Sequence, residues 1–516
     1  MTTHDRLHQR LPAVAWAILA IALALSPRAT AADPAPVKFP DHEEEWFVVK
    51  LQDAKCGYMY SISDHVDSEV HTRLFLHFEL ARGDAKVEIT SDQRYRESLE
   101  GQPLAFQHET TMGQLPVVYR GAVEGGKLRL VTEQAGAARE AVYDFDPQIR
   151  FAWGQLLEQR KRGLAPGTTY SVKTYEPTVR VDGPLVMEVK VHGKEKIDVL
   201  GTPRPLYKVT STLLLPTPIT TESWVDDDAA PVIASVDFGI ARILICRASK
   251  EEALEKSAAP ELFLSTFVNV DRRIPANASE VTYRLRLPDK GKWSLPDLPK
   301  TSMQTFKRTS AHEGTITVRR LDWSVIRRAD ASSADPSPEL APFCKASTML
   351  DTDDPRIKRL ARRALSDAAA APADKADALR RFVGDYVSDK GLDVGFATAS
   401  EVARTRAGDC TEHAALLAAL ARAAGLPARG VSGIVQIPPG PLMPTKASAF
   451  GYHMWTQVHI GGQWVDIDAA LAQTECDPTH IALSIMPLND EGVLDSMTSL
   501  FPLLGRLELE VINVKE

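Results

Sequence analysis

The stretch RAGDCTEHAALLAALARAAGLPARG, residues 406–430, decides how the C-terminal part of the chain folds. Asp409 is suited to cap a helix whose third residue is Glu412, which is an acidic form of the capping box. A stripe of leucines follows at helical spacing, and Gly425 gives the helix an end. We therefore predict a helix that begins at Cys410.

A cysteine at the first position of a helix has two interpretations. The N-terminal end of the helix dipole favours a thiolate over a thiol, which would make Cys410 reactive. The alternative is a small, buried apolar residue with no chemical role. The helix start alone does not separate these two interpretations.

A second stretch, GYHMWTQVHIGGQWVDIDAAL at residues 451–471, predicts a β-hairpin, because two strand-like runs flank Gly461-Gly462. With the turn centred on the two glycines, Trp455 lies opposite Asp468. His453 is then a diagonal neighbour of Asp468, at a separation that two side chains can bridge. We predict that His453 and Asp468 form a coupled pair.

A cysteine thiolate with an imidazole base, itself oriented by a carboxylate, is a general arrangement for acyl transfer through a thioester. The sequence GDCTEHA around Cys410, the element His453-Met454-Trp455, and Asp468 after Gly462-Gln463-Trp464 resemble the transglutaminase-like superfamily, in the same chain order. The resemblance covers about residues 350–490, which is under a third of the chain.

The resemblance implies an α+β domain whose fold is related to that of papain-like cysteine proteases. It also implies that Cys410 is the nucleophile, that His453 is the base and later the acid, and that Asp468 holds the imidazole. The backbone N–H of Cys410 would be one oxyanion donor. The predicted site residues are Cys410, His453 and Asp468 as catalytic residues, with Trp455, Asp409 and Glu412 as wall or support. Trp455 is equally well explained as a core aromatic.

Other chemically capable residues near these motifs are given structural roles. His413, one turn after Cys410, is predicted to pack, and His459 with Asp466 forms a less favoured alternative pair. A metal site is a further alternative, because four residues of these motifs are of metal-ligand types: Cys410, His413, His453 and Asp468. Zinc sites usually have paired ligands at short spacing on both arms, and the second arm lacks such a pair. We predict no metal and no cofactor.

The N-terminus has the order of a secretory signal peptide: basic residues, an apolar run over 11–25, and Ala29-Thr30-Ala31 as a small-residue cleavage site. A retained membrane anchor is less favoured because the run is short and contains Pro12. We expect a protein exported to the periplasm or the extracellular space, with no stable membrane span after cleavage.

Most of the preceding chain alternates with a period of two. In RLFLHFEL, residues 73–80, the leucines and Phe78 share one face, which is typical of an antiparallel sheet with one polar side. The segment 151–164 is the one helix predicted within this region. The predicted organisation is a signal peptide (1–31), an antiparallel β-rich domain (40–250), a small β-sandwich-like domain (258–328), a linker (329–343), a transglutaminase-like domain (344–495) and a C-terminal strand or tail (496–516).

Composition excludes few classes. The net charge is −8 and no long basic cluster is present, which argues against nucleic acid as a partner. There are five cysteines, so four could pair as disulfides in an oxidising compartment and one would be left over, which the context assigns to Cys410. The connectivity and the oligomeric state are not predicted.

The leading hypothesis is an exported thiol enzyme that acts on amide bonds of proteins or peptides. Resolution of the thioester by water makes it a peptidase or amidase, as in many bacterial members of the superfamily, and resolution by an amine makes it a cross-linking enzyme. The alternative is a non-catalytic envelope or surface binding protein that uses the large β domain.

Overall fold

The structure is a computed structural model that describes residues 41–516 apart from 83–84, 113–115, 135–136, 216–217, 238–241, 261–265, 289–292, 330–337, 348, 391–396, 438–447, 490–499 and 501. The predicted signal peptide and most of the predicted linker lie outside the described residues. The chain divides at residue 261 into two compact units, which are treated separately.

The N-terminal unit is built on one antiparallel sheet of 14 strands. The strands are β1 (His42–Leu51), β2 (Ala54–Val66), β3 (Glu69–Arg82), β4 (Ala85–Ser98), β5 (Pro103–Met112), β6 (Pro116–Glu124), β7 (Lys127–Gln134), β8 (Ala137–Asp144), β9 (Thr169–Thr174), β10 (Leu185–Val199), β11 (Thr202–Leu213), β12 (Ile219–Val225), β13 (Pro231–Asp237) and β14 (Arg242–Ala248). Two helices accompany them, α1 (Ala152–Arg162) and α2 (Lys250–Leu254).

Strands that follow one another in the chain pair in this sheet, except β8 and β9, which stand at the two ends of the strand order. Pairing of β1 with β14 joins the run from β8 to β1 with the run from β14 to β9. The predicted alternation is confirmed, because Leu74, Leu76 and Phe78 on β3 are buried. The helix predicted at 151–164 is confirmed as α1. The N-terminal part is therefore the antiparallel β domain that the sequence predicted.

The five cysteines all lie in described residues, and none of them forms a disulfide bond. Cys56 on β2 and Cys246 on β14 illustrate the reason, because β1 runs between their two strands. Two strand spacings amount to about 9–10 Å, which exceeds the roughly 7 Å between Cα atoms that a disulfide spans. The disulfides that composition permitted are therefore not formed in this structure.

The C-terminal unit is mixed α+β. Its helices are α3 (Trp323–Ala329), α4 (Pro355–Ala364), α5 (Pro372–Tyr386), α6 (Ala399–Thr405) and α7 (Cys410–Ala423), with a 3₁₀ helix at Pro338–Cys344. Its strands are β15 (Val268–Val270), β16 (Glu280–Arg286), β17 (Gln304–Arg308), β18 (Glu313–Arg319), β19 (Ala428–Gln436), β20 (Ser448–Ile460), β21 (Gln463–Ile467), β22 (Ile481–Met486) and β23 (Glu508–Lys515).

These strands form two sheets. One has the order β15-β20-β19-β22 with β21 paired to β20, and the other has the order β17-β18-β16-β23. Within residues 258–328, where a small β domain was predicted, β16, β17 and β18 form a four-stranded sheet with β23 from the C-terminal end, and β15 joins the other sheet. The alternation in the sequence indicates a buried face, but it does not specify a partner strand more than 200 residues away. The predicted domain boundaries stay predictions.

Helix α7 lies at the centre of the unit, against β19 and β20 on one side and α4, α5 and α6 on the other. Its residues are buried almost all round, and Leu416, Leu417 and Leu420 are fully buried. A helix that is apolar on every face is stable only when it is surrounded in this way. Among the described helices, none is long and apolar enough to cross a membrane.

Candidate active site

The start of α7 has the predicted cap. The Asp409 side chain accepts a hydrogen bond from the backbone N–H of Thr411 at 2.8 Å, and Glu412 Oε2 accepts one from the backbone N–H of Asp409 at 3.0 Å. This reciprocal pair makes Cys410 the first residue of the helix, as predicted. The thiol therefore lies at the positive end of the helix dipole.

Glu412 makes a second hydrogen bond that the sequence does not predict. Its Oε1 accepts a hydrogen bond from the backbone N–H of Ala397 at 3.0 Å, so one carboxyl group ties α7 to the chain before α6. The side chain is fully buried, and burial together with the charge of Asp409 holds the pKa of Glu412 well above its usual range.

Gly408 permits this arrangement. Its φ is +147°, and a Cβ atom there would lie 2.2 Å from Cβ of Glu412. Only glycine leaves room for the Glu412 side chain to fold back over the helix start.

The hairpin of β20 and β21 has the predicted register. Gln457 pairs with Asp466, and the turn at Gly461-Gly462 has positive φ at both glycines, 57° and 80°. The side chains of His453 and Asp468 meet, with Nε2 of the imidazole 2.5 Å from Oδ2 of the carboxylate. Both are buried, and His453 is 1% exposed.

The Cys410 thiol lies close enough to the same imidazole to raise its pKa. Nε2 of His453 is engaged by Asp468 and the buried Nδ1 has no hydrogen-bond partner among the described residues, so Nδ1 is the ring nitrogen available to the thiol. Burial by itself would lower the pKa of His453. The charge and hydrogen bond of Asp468, with a smaller contribution from Cys410, outweigh burial and raise this pKa to about 9.

Asp468 is held at both oxygens. Oδ1 accepts a hydrogen bond from the backbone N–H of Leu471 at 2.9 Å, and Oδ2 lies close to two imidazoles, those of His453 and His480. Burial by itself would raise the pKa of Asp468, but the two histidines outweigh it and hold the pKa well below its usual range. The carboxylate is therefore ionised at neutral pH.

His480 was missed by the sequence analysis. It precedes β22, which pairs with β19 and not with the hairpin, so no local spacing relates it to Asp468. The available signal was its position four residues after Cys476, which gives a second cysteine and histidine within one short loop. Cys476 had been counted only as a possible disulfide partner.

Trp455 lies beside the imidazole of His453, with ring centroids 6.1 Å apart and planes inclined by 21°. Its indole N–H donates a hydrogen bond to Asp466 Oδ1 at 2.6 Å, and Gln457 also donates to this carboxylate. Asp466 therefore holds the tryptophan and does not pair with His459. Burial raises the pKa of Asp466 above its usual value.

Replacement of Trp455 with phenylalanine is expected to reduce the free energy of unfolding by about 1–3 kcal/mol, because it removes a hydrogen bond from a buried carboxyl group while it keeps a ring in place. Trp323→Phe is a matched control, since the buried indole nitrogen of Trp323 has no partner among the described residues. Urea unfolding measures both variants. An equal loss in the two variants would contradict the role given to the Asp466 contact.

His413 is buried beside the helix start, with Nδ1 2.6 Å from the carbonyl oxygen of Asp409. Its N–H therefore donates to the backbone within the first turn, in line with the predicted packing role. Burial, the largest influence, lowers the pKa of His413.

His453, Asp468 and His480 are all of metal-ligand types, and their nearest ligand atoms lie within 4.8 Å of one another. Two ligands of one tetrahedral zinc ion at about 2.0–2.1 Å from the metal lie roughly 3.3 Å apart. The separation of 2.5 Å between His453 and Asp468 is that of a short charge-assisted hydrogen bond. The arrangement therefore fits a row of hydrogen-bonded side chains better than a metal centre.

Residues 358–469 match the family model described as the transglutaminase-like superfamily. This segment is transglutaminase-like. The predicted resemblance is thus confirmed for the C-terminal part of the chain, and Cys410, His453 and Asp468 all lie within the matched residues of this transglutaminase-like segment. A search of curated proteins gave no match.

Several solved structures share limited likeness with the chain. A candidate cysteine protease from Cytophaga hutchinsonii is 15% identical, with coverage of 46% of this chain and 90% of that chain and a TM-score of 0.31. A β-barrel-like protein of unknown function from Brucella abortus is 13% identical, with coverage of 40% and 95% and a TM-score of 0.33. The periplasmic domain of TgpA from Pseudomonas aeruginosa bound to ethylmercury is 16% identical, with coverage of 38% and 91% and a TM-score of 0.25. Likeness at these TM-scores supports no inference about function.

Proposed function

We propose that the protein is an exported thiol enzyme that cleaves amide bonds of proteins or peptides through a thioester on Cys410. The observation that carries the proposal is the position of His453, whose imidazole bonds to the Asp468 carboxylate and lies near enough to the Cys410 thiol for the thiol to raise its pKa. A nucleophile, a base and an orienting carboxylate in one row are the requirement for this chemistry.

In the proposed reaction, His453 and Cys410 exist as an imidazolium and a thiolate. The sulfur attacks the amide carbonyl carbon, and the backbone N–H of Cys410 donates a hydrogen bond to the oxygen that gains negative charge. The C–N bond then breaks as the imidazolium gives its proton to the leaving amine. The products of this half are a free amine and an acyl group bound to sulfur.

In the second half, neutral His453 takes a proton from water or from an acceptor amine as it attacks the thioester. The carbon–sulfur bond breaks, and Cys410 leaves as a thiolate beside the restored imidazolium. Asp468 stays ionised throughout and keeps Nε2 of the imidazole protonated, so that Nδ1 exchanges the proton. Water gives peptidase or amidase activity and an amine gives cross-linking.

Three neighbouring side chains have supporting roles in this proposal. Asp409 and Glu412 fix the first turn of α7 and hence the sulfur, and Trp455 forms a wall against the imidazole. Cys410 is only 2% exposed, so an acyl group reaches the sulfur only after surrounding residues move. The proposed partners are a protein or peptide substrate, in the periplasm or outside the cell, and not nucleic acid.

The pH dependence of cysteine alkylation tests the proposal. We expect iodoacetamide, a small probe suited to a buried thiol, to label Cys410 rapidly near pH 6. An ordinary thiol with a pKa of about 8.5 is only roughly 0.3% ionised at that pH. His453→Ala should therefore slow labelling at pH 6 by roughly 100- to 300-fold, with recovery as the pH rises toward 8.5.

A Cys344→Ser background sharpens this measurement, because Cys344 is the half-buried thiol while the other cysteines are buried. Burial raises the pKa of Cys56 and of Cys476 to about 12, so neither competes at pH 6. Cys410→Ser should abolish labelling at pH 6. Slow labelling of the parent that is indifferent to His453 would overturn the proposal and favour the non-catalytic binding protein.

The choice between water and an amine needs a substrate. A denatured protein substrate with a fluorescent primary amine separates the outcomes: incorporation of the dye indicates cross-linking, and new α-amino groups indicate a peptidase. Release of ammonia without incorporation indicates an amidase. Each signal should vanish in Cys410→Ser.

A further inference from the structure

His480 extends the row of polar side chains behind His453. Its Nε2 lies 3.2 Å from Asp468 Oδ2, which is the same oxygen that His453 contacts. Its Nδ1 lies 3.2 Å from the backbone oxygen and 3.4 Å from the carboxylate of Asp477. Both ring nitrogens therefore face acceptors, and the side chain is buried.

The groups around His480 come from each neighbouring part of the unit. Asp468 and His453 face it from the hairpin, and Cys476 and Asp477 face it from its own loop. The edge of Trp455 packs against the ring at a centroid distance of 5.2 Å. Asp466 also acts on it through its charge. Burial by itself would lower the pKa of His480, but the charge of Cys476 and the hydrogen bonds with Asp468 and Asp477 outweigh burial and hold this pKa well above the usual value.

The position of Asp468 depends on this contact. A carboxylate that follows a strand can rotate about its side-chain bonds, and rotation would carry Oδ2 away from His453. Leu471 restrains only the other oxygen. His480 donates to Oδ2 from a second direction, so rotation of Asp468 would break the bonds to two imidazoles at once.

We propose that His480 is a positioning residue that holds Asp468 against His453, and that it acts on Cys410 only through this row. The inference rests on the proposed function, since it assigns His480 a part in the same reaction. A packing role alone would require neither the shared oxygen nor acceptors at both nitrogens.

Two amide replacements separate positioning from packing. In His480→Gln the amide nitrogen reaches the place of Nε2 and keeps a donor for Asp468. In His480→Asn the amide reaches only the place of Nδ1, so it keeps the contact with Asp477 and loses the contact with Asp468. The two variants carry the same functional group and remove the same charge, and they differ in which acceptor they reach.

The readout is alkylation of Cys410 in the full-length protein by iodoacetate, across pH. An anionic reagent is attracted by the His453 imidazolium, so its rate falls as the pH rises through the pKa of His453, at about 9 in the parent. We expect His480→Gln to stay within about threefold of the parent. We expect the alkylation rate of His480→Asn at pH 6 to be roughly 10- to 100-fold lower than that of the parent, which corresponds to the loss of a hydrogen bond to a buried charge. We also expect the fall in rate at alkaline pH, called the alkaline limb, to occur at a pH lower by about one unit or more, closer to the ordinary histidine pKa.

An alkaline limb in His480→Asn at the same pH as in the parent would overturn the inference, because it would indicate that His480 only packs. A limb at higher pH would also overturn it, because it would indicate only that the charges of His480 and His453 repel each other. Equal losses in both variants would also overturn it. Labelling of the parent protein distinguishes a failure of the proposed function from a failure of the role given to His480. Slow labelling of the parent at pH 6 rejects the proposed function itself, whereas a reactive parent with an unaffected Asn variant rejects only the role of His480.

Discussion

Asp468→Ala is expected to lower the free energy of unfolding of the C-terminal unit by about 3–5 kcal/mol. The carboxylate accepts hydrogen bonds from two buried imidazoles and one backbone N–H, and its loss leaves these donors without a partner. The buried His453 imidazole would then lose its proton, because burial disfavours the charged form once the carboxylate is gone. His480 would keep Asp477 beside its Nδ1.

The same variant is expected to lose reactivity at Cys410. Without Asp468 the pKa of His453 falls below its ordinary value, and the imidazolium that supports the thiolate is absent at pH 6. Alkylation at pH 6 should then slow by roughly 100-fold or more, since Cys410 reverts toward an ordinary thiol.

Asp466→Ala is the matched control for Asp468→Ala. This carboxyl group is also buried and lies on the same hairpin, but its hydrogen bonds come from Trp455 and Gln457. Its loss should destabilise the unit while alkylation of the folded protein at pH 6 stays within a few-fold of the parent. Urea unfolding and mass spectrometry of the labelled peptide measure both quantities. Equal losses of reactivity in the two variants would show that general destabilisation, and not the His453 contact, is responsible.

Glu412→Ala is expected to have the second largest effect, with a loss of about 3–5 kcal/mol in the free energy of unfolding. Two buried backbone N–H groups, those of Asp409 and Ala397, would lose their acceptor at about 1–3 kcal/mol each. The bond from Asp409 is also the Glu412 half of the capping box, so its loss weakens the start of α7. Because the first turn of α7 positions Cys410, alkylation at pH 6 should also slow.

Glu412→Gln separates the cap from the bulk of the side chain. It keeps the volume and one acceptor oxygen but presents an amide N–H₂ to one of the two backbone donors. We expect its free energy of unfolding, measured by urea unfolding, to lie between those of the parent and the alanine variant. If the glutamine variant were as unstable as the alanine variant, the carboxyl group of Glu412 itself, and not the number of acceptor oxygens, would determine the free energy of unfolding. An alanine variant as stable as the parent would contradict the assignment altogether.

Much of the candidate site was predictable because its parts are local. The helix start at Cys410 depends on residues within four positions of it, and those contacts follow from helix geometry. The meeting of His453 with Asp468 depends on a two-glycine turn, which sets the register of the strands on either side. The roles of these residues in catalysis stay predictions, which the alkylation experiments test.

The remaining features could not be read from the pattern. The second contact of Glu412, with Ala397, joins two segments whose separation depends on how α6 packs. The strands of the small β domain predicted at 258–328 divide between two sheets, and one of these sheets takes its fourth strand from residues 508–515. Alternating apolar residues specify a buried face and leave the partner strand open.

The sequence by itself therefore determined the period of each element, the start of α7 and the register of one hairpin, all of which depend on residues near one another in the chain. Tertiary structure alone decided that His480 stands behind Asp468 and that Cys56 and Cys246 are kept apart by an intervening strand. The physical reason is that sheet order brings together side chains whose separation in the chain carries no periodic signal.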